Sequence, residues 1–140
     1  MSDGDQLIQA AESWAAIVPE LVVSDLARSA DVYTNLYGFA LVLFEPGRRA
    51  VVAMEACQLV LKQFKQDAPG AADLAMPFGR GLVIHVRTAD PKPIYEVLRR
   101  DKQPIVVPME TAELSAGGVT ITQTSFVAAD PDGYQLRISD

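Results

Sequence analysis

The chain carries one imidazole, His85, and one thiol, Cys57, so proton transfer near neutral pH has few possible owners. His85 lies in Val83-Ile84-His85-Val86-Arg87, a strand-like run in which successive side chains point to opposite faces. Leu82, Ile84 and Val86 share one face, and Val83, His85 and Arg87 share the other. An earlier run divides in the same way, with Ile17, Leu21 and Val23 opposing Val18, Glu20 and Val22. Around Cys57, Leu59 and Leu61 oppose Gln58, Val60 and Lys62, and further on Leu136 and Ile138 oppose Gln135, Arg137 and Ser139. Each strand therefore has an aliphatic face and a mixed face. The mixed faces supply Glu20, Gln58, Lys62, His85, Arg87, Gln135 and Arg137 as candidate ligand-binding residues lining a shared cup.

Several chemistries are open to this set. Glu20 and His85 occupy equivalent places in two copies of one pattern, which suits an acid-base pair, a two-ligand metal site, or simple lining of the cup. Lys62, Arg87 and Arg137, if turned inward, favour a ligand with a carboxylate, phosphate or sulfate; turned outward, they rest their stems on the surface. No Ser-His-Asp order fits the strands, and Cys57, among Ala56, Leu59 and Leu61, reads as a buried thiol. Neither a glycine-rich phosphate loop nor a dinucleotide fingerprint occurs. No catalytic residue, metal ligand or cofactor is assigned.

The elements that position these residues come from a strand-helix-strand pattern that occurs twice. The reading is α+β: two βαβββ modules forming a curved mixed sheet, with helices on the outer face and an extra N-terminal helix. The boundaries are 1–16 for that helical extension, 17–65 for the first module, 66–81 for a connecting loop and 82–140 for the second module. In the extension, Leu7, Ile8, Ala11, Trp14 and Ala15 form a helical stripe over residues 5–16. A strand is expected at 17–23, then a helix capped by Ser24 or Asp25, with Leu26, Ala30, Tyr33, Leu36 and Tyr37 inward and Gly38 as its stop. Strands follow at 39–45, 49–54 and 57–63, with Pro46-Gly47 as a turn. Residues 64–80 read as a loop exposing Met76 and Phe78, either a lid or an anchor. In the second module a helix begins near Pro91 and presents Ile94, Val97 and Leu98. Strands are expected at 103–107, 119–128 and 134–138, a loop at 108–117, and turns at Gly117-Gly118 and Asp130-Pro131-Asp132-Gly133.

Composition narrows the partners. With 140 residues, 49% of them apolar and 21% charged, the chain can bury a core and is not a disordered tract. A net charge of −6 and a pI near 4.7 argue against nucleic acid, which requires a basic stripe. A single cysteine forms no internal disulfide, no run approaches the length of a membrane span, and the start Ser2-Asp3-Gly4-Asp5 lacks the basic residues of a leader. A cytoplasmic protein without membrane or nucleic-acid partners is expected.

The stretch from Val23-Ser24-Asp25-Leu26-Ala27-Arg28-Ser29 through Tyr33 to Leu36-Tyr37-Gly38-Phe39, with Asp130-Pro131-Asp132-Gly133 and Leu136, resembles the vicinal oxygen chelate superfamily of glyoxalases, bleomycin-resistance proteins and extradiol dioxygenases. The resemblance spans about residues 17–139 and implies paired βαβββ modules, commonly in homodimers. It also implies four metal-ligand positions, which fall here on Val18, Val60, Val83 and Arg137. Three valines and an arginine offer a divalent ion no donor. The likeness is therefore closest to the metal-free bleomycin-resistance type. It implies a dimeric protein that sequesters an antibiotic or similar small molecule. A glyoxalase- or dioxygenase-type enzyme using Glu20 and His85 is the alternative.

Overall fold

The computed structural model describes residues 2, 4, 5, 8, 12 and 14–140. They fall into two compact units, Met1–Phe78 and Gly79–Asp140. Each unit contains one four-stranded mixed sheet, open at both edges, and the α+β reading holds.

In the first unit the sheet order is β1-β4-β3-β2, built from β1 (Glu20–Val23), β2 (Ala40–Glu45), β3 (Arg49–Met54) and β4 (Cys57–Gln63). β1 runs parallel to β4 and the other neighbours are antiparallel. β1 is shorter than expected: Pro19 lacks an N–H, its carbonyl accepts only from Val60, and Ile17 is exposed. Between β1 and β2 lies α1 (Leu26–Asp31), which continues into a single π-helical turn, Val32–Leu36. The Asp25 carboxylate caps α1 by accepting from the Arg28 N–H at 3.2 Å. Gln63, at the end of β4, accepts from the Leu26 N–H at 2.9 Å and donates to the Ser24 carbonyl at 2.9 Å, tying the helix start to the sheet.

The wider π turn adds Val32 to the buried face and brings Tyr33 and Tyr37 into a stack with centroids 5.4 Å apart. Gly38, at φ 86°, ends the helix as expected, and the Phe39 N–H closes onto the Tyr33 carbonyl at 2.9 Å. The helices pack on β3 and β4, burying Leu21, Val23, Leu59 and Leu61, the residues read as the aliphatic face. On the mixed face Leu43, Val51 and Val60 form a second buried cluster with Val18 and Val42 against it.

The N-terminal reading is reached in part. Positions 4, 5, 8 and 12 are helical, Leu7 and Ala11 lie outside the described residues, and residues 14–16 are not helical. The backbone N–H of Ala15 instead donates to Gln58 on β4 at 2.6 Å. Phe78, expected to be exposed, is buried and packs on Phe64 with centroids 6.5 Å apart; Met76 is exposed. Phe78 is an anchor, not a lid.

The second unit has the order β5-β8-β7-β6, from β5 (Val83–Arg87), β6 (Ile105–Ala116), β7 (Val119–Ala129) and β8 (Gln135–Ser139). α2 (Lys92–Arg100) follows Pro91, buries Leu98 and sets Tyr95 against Phe126 of β7 at 5.0 Å. The loop expected at 108–117 is wrong. Those residues extend β6 into a long hairpin with β7, paired from Glu110↔Ser125 to Ala116↔Val119. Gly117 and Gly118, with φ of 57° and 79°, supply the mirror-image turn such hairpins require. Pro108 is tolerated because it sits in the register shift between Val107 and Glu110, where the regular ladder is interrupted. β8 pairs with β7 only at Ser125–Ala129, so the hairpin tip is a two-stranded ribbon.

Candidate functional site

The two sheets repeat their register, and this places the candidate residues. In the first unit Glu20 lies opposite Val60, which lies opposite Val51. In the second His85 lies opposite Arg137, which lies opposite Val127. Glu20 and His85 therefore occupy equivalent positions, and the next row outward carries Lys62 and Arg49 in one unit and Ser139 and Ser125 in the other. Each unit has an open cleft at this end of its own sheet.

The cleft of the second unit has a volume of about 550 Å³ and is lined by His85, Arg87, Ile121, Thr122, Gln123, Ser139 and Asp140. His85 and Arg87 project from β5, where they are exposed, while their neighbour Val86 is fully buried and fixes the strand. Asp140 is held at the base of the hairpin: its carboxylate accepts from the Thr124 N–H at 2.9 Å, and its own N–H donates to the Thr124 carbonyl at 3.2 Å. On β7, Ser125, Gln123 and Ile121 alternate onto one face. That face continues along the hairpin through the register pairs Leu114↔Ile121 and Ala116↔Val119, which line a shallower apolar groove of about 200 Å³. Leu114, Val119 and Ile121 are exposed at 47%, 63% and 57%. The opposite hairpin face is polar, with Ser115 and Thr120 hydroxyls 2.8 Å apart. The site thus has a polar end, bearing the imidazole and a guanidinium, and an apolar strip leading away from it.

The cleft of the first unit, about 260 Å³, is lined by Glu20, Arg48, Arg49, Lys62, Gln63 and Lys65. Glu45 pairs with Arg48 at 3.1 Å and with Arg49 Nε at 3.0 Å.

Of the seven residues expected to line one cup, His85 and Arg87 meet in the second unit's cleft and Glu20 and Lys62 in the first unit's. Gln58 is buried and accepts from Ala15. Arg137 is half-buried and donates from Nη1 to the Ser125 hydroxyl at 2.9 Å, and Gln135 stands between Val83 and Ala129 in the sheet. Sequence reasoning missed the hairpin wall and the cations Arg48, Arg49 and Lys65. The Gly117-Gly118 pair signalled the first, whereas only strand register brings Arg49 to Lys62.

The four positions that the sequence resemblance implies as metal ligands, Val18, Val60, Val83 and Arg137, offer no donor set. Val60 is buried in an aliphatic cluster, and Arg137 is engaged with Ser125. Among the described residues no three His, Cys, Asp or Glu side chains converge. Burial pushes the pKa of the half-buried Cys57 thiol up, which suppresses its thiolate.

No protein-family model matches the chain, and no curated protein matches it in sequence. Solved structures do match in fold. A glyoxalase/bleomycin resistance protein/dioxygenase from Alicyclobacillus acidocaldarius aligns with a TM-score of 0.62 at 15% identity over 91% of each chain. TioX from Micromonospora sp. ML1 aligns at 0.64 and 17% identity, over 89% of this chain and 94% of that one. Lactoylglutathione lyase from Agrobacterium tumefaciens aligns at 0.58 and 16%, over 89% and 92%. The chain has the glyoxalase/bleomycin-resistance fold. No described helix is long and apolar enough to cross a membrane.

Proposed function

We propose that this chain is a metal-independent small-molecule-binding protein of the bleomycin-resistance type, a cytoplasmic homodimer that sequesters a bleomycin-type antibiotic or a similar ligand without changing it chemically. The observation that carries this reading is the second unit's cleft. It joins His85, Arg87 and Asp140 to an exposed apolar strip on the same sheet face, the mixture of apolar contact and few polar groups that small-molecule sites use. A volume of about 550 Å³ lies within the range of drug-sized sites. The vacated metal positions support binding over glyoxalase-type chemistry, and the fold shared with a glyoxalase/bleomycin resistance protein/dioxygenase supports the ligand class.

The test is the thermal midpoint of the protein with and without a bleomycin-type glycopeptide. Ligand at 100 times its dissociation constant adds about 2.7 kcal/mol, a rise of several degrees for a chain of this size. Arg87→Ala and Ile121→Ala should lose that rise while keeping the unliganded midpoint, because both side chains are solvent-facing. An unshifted midpoint at saturating glycopeptide removes this ligand class.

A further inference from the structure

The first unit's cleft has a different chemistry. We propose that it binds the phosphate or sulfate group of a small molecule, in a second site that shares no residue with the cleft of the second unit. Four of the chain's 12 Lys and Arg residues, Arg48, Arg49, Lys62 and Lys65, border a cleft of about 260 Å³ in a protein with 18 Asp and Glu. Counting Glu20 and Glu45 against them leaves the cleft at +2, and the remainder of the chain, with 8 cations and 16 acids, at −8.

That segregation is maintained against a local cost. Arg49 and Lys62 are directly opposite each other in the β3–β4 register, and like charges at facing antiparallel positions repel. Rules broken in this way are expected at functional sites. Glu45 does not cancel the pair. It is shared between Arg48 and the Nε of Arg49, which leaves the terminal nitrogens of Arg49 outside that bond, and Lys62 and Lys65 form no ion pair among the described residues. The platform is rigid, since Gln63 between the lysines is fixed by its bonds to the Leu26 N–H and the Ser24 carbonyl. A planar guanidinium beside two ammonium groups suits a tetrahedral oxyanion, with Arg49 holding two oxygens and the lysines supplying charge. An extended polyanion is disfavoured, because the remainder of the chain carries a net charge of −8.

The experiment is titration of the full chain with inorganic phosphate, sulfate and, as control, chloride at constant ionic strength, followed by calorimetry and amide chemical shifts. The account predicts saturable one-to-one binding of phosphate or sulfate with shifts at Arg49, Lys62 and Lys65. Arg49→Gln and Lys62→Gln each weaken it about 10- to 100-fold, as loss of a charge-assisted bond does, and Arg87→Ala leaves it unchanged. Without ligand, Lys62→Gln melts at or above the wild type, since repulsion is relieved. Shifts that track chloride equally, or variants that bind like the wild type, overturn the proposal. A Lys62→Gln variant that melts below the wild type overturns the argument that Lys62 is kept at a structural cost.

Discussion

Asp130 offers a sharp test of how the turn before β8 is held, and with it the strand that carries Arg137 and Ser139. Asp130 is 2% exposed, and its Oδ1 accepts from the Asp132 and Tyr134 N–H groups, each at 2.9 Å. Its own N–H donates to the Tyr134 carbonyl at 2.9 Å, and the Gly133 N–H donates to the Asp130 carbonyl at 3.0 Å. Asp130→Ala removes these two side-chain bonds, whose N–H donors lie on residues 1% and 7% exposed. Bonds to a charged acceptor contribute about 1.5–3 kcal/mol each, and relief of the buried carboxylate offsets part of that, so the loss is about 3–4 kcal/mol. For a chain of this length the midpoint falls by roughly 10–15 °C. Asp130→Asn keeps an oxygen in place and costs about half as much. Urea unfolding followed by circular dichroism reads both variants, with the denaturant slope expected to stay constant. An alanine variant within about 0.5 kcal/mol of the wild type, inside the range of ordinary surface changes, refutes the reasoning. So does an asparagine variant as damaged as the alanine.

Two further predictions concern sites away from the clefts. A Cβ at Gly79, where φ is +72°, meets Tyr134 Cδ1 at 2.4 Å and Cε1 at 2.8 Å, whereas one at Gly81, φ +80°, meets nothing within 4 Å. Gly79→Ala should therefore cost about 2–5 kcal/mol, from left-handed strain plus overpacking, and Gly81→Ala only the strain of about 1–2 kcal/mol; equal melting points contradict this. Cys57 should alkylate more slowly at pH 8 in the folded chain than in urea, with its rate midpoint at higher pH when folded. Because folding favours the protonated thiol, its contribution to stability is present below the unfolded thiol pKa and fades as pH rises through the folded one. A folded thiol as reactive as the unfolded one is the contrary result.

Much of this fold is legible from alternation and punctuation. The bounds of β3 and β4 are legible to the residue and those of β2 to within one, helped by the turn signal Pro46-Gly47 between β2 and β3. The aliphatic faces are legible where burial enforces alternation, as at Leu21, Leu59, Val86, Leu136 and Ile138. Residues 108–117 resemble a loop in sequence for the converse reason: the ribbon has no buried face, so Glu110, Glu113 and Ser115 carry the polar composition of a loop. The π turn at Val32–Leu36 left no mark in the helical spacing. His85, Arg87, Glu20 and Lys62, which line the clefts, can be assigned to a strand face from the sequence because strand faces are periodic. Arg48 and Arg49 follow a turn signal, and only the pairing of Arg49 with Lys62 across β3 and β4 discloses that these cations border one cleft.

Sequestration is tested most directly by calorimetric titration of a bleomycin-type glycopeptide into the protein in the presence of a metal chelator, with the recovered ligand weighed by mass spectrometry. The account predicts saturable stoichiometric binding, undiminished by the chelator and weakened by Arg87→Ala, with the ligand mass unchanged. No heat at millimolar ligand, binding only after a divalent ion is restored, or a ligand returned with altered mass contradicts it.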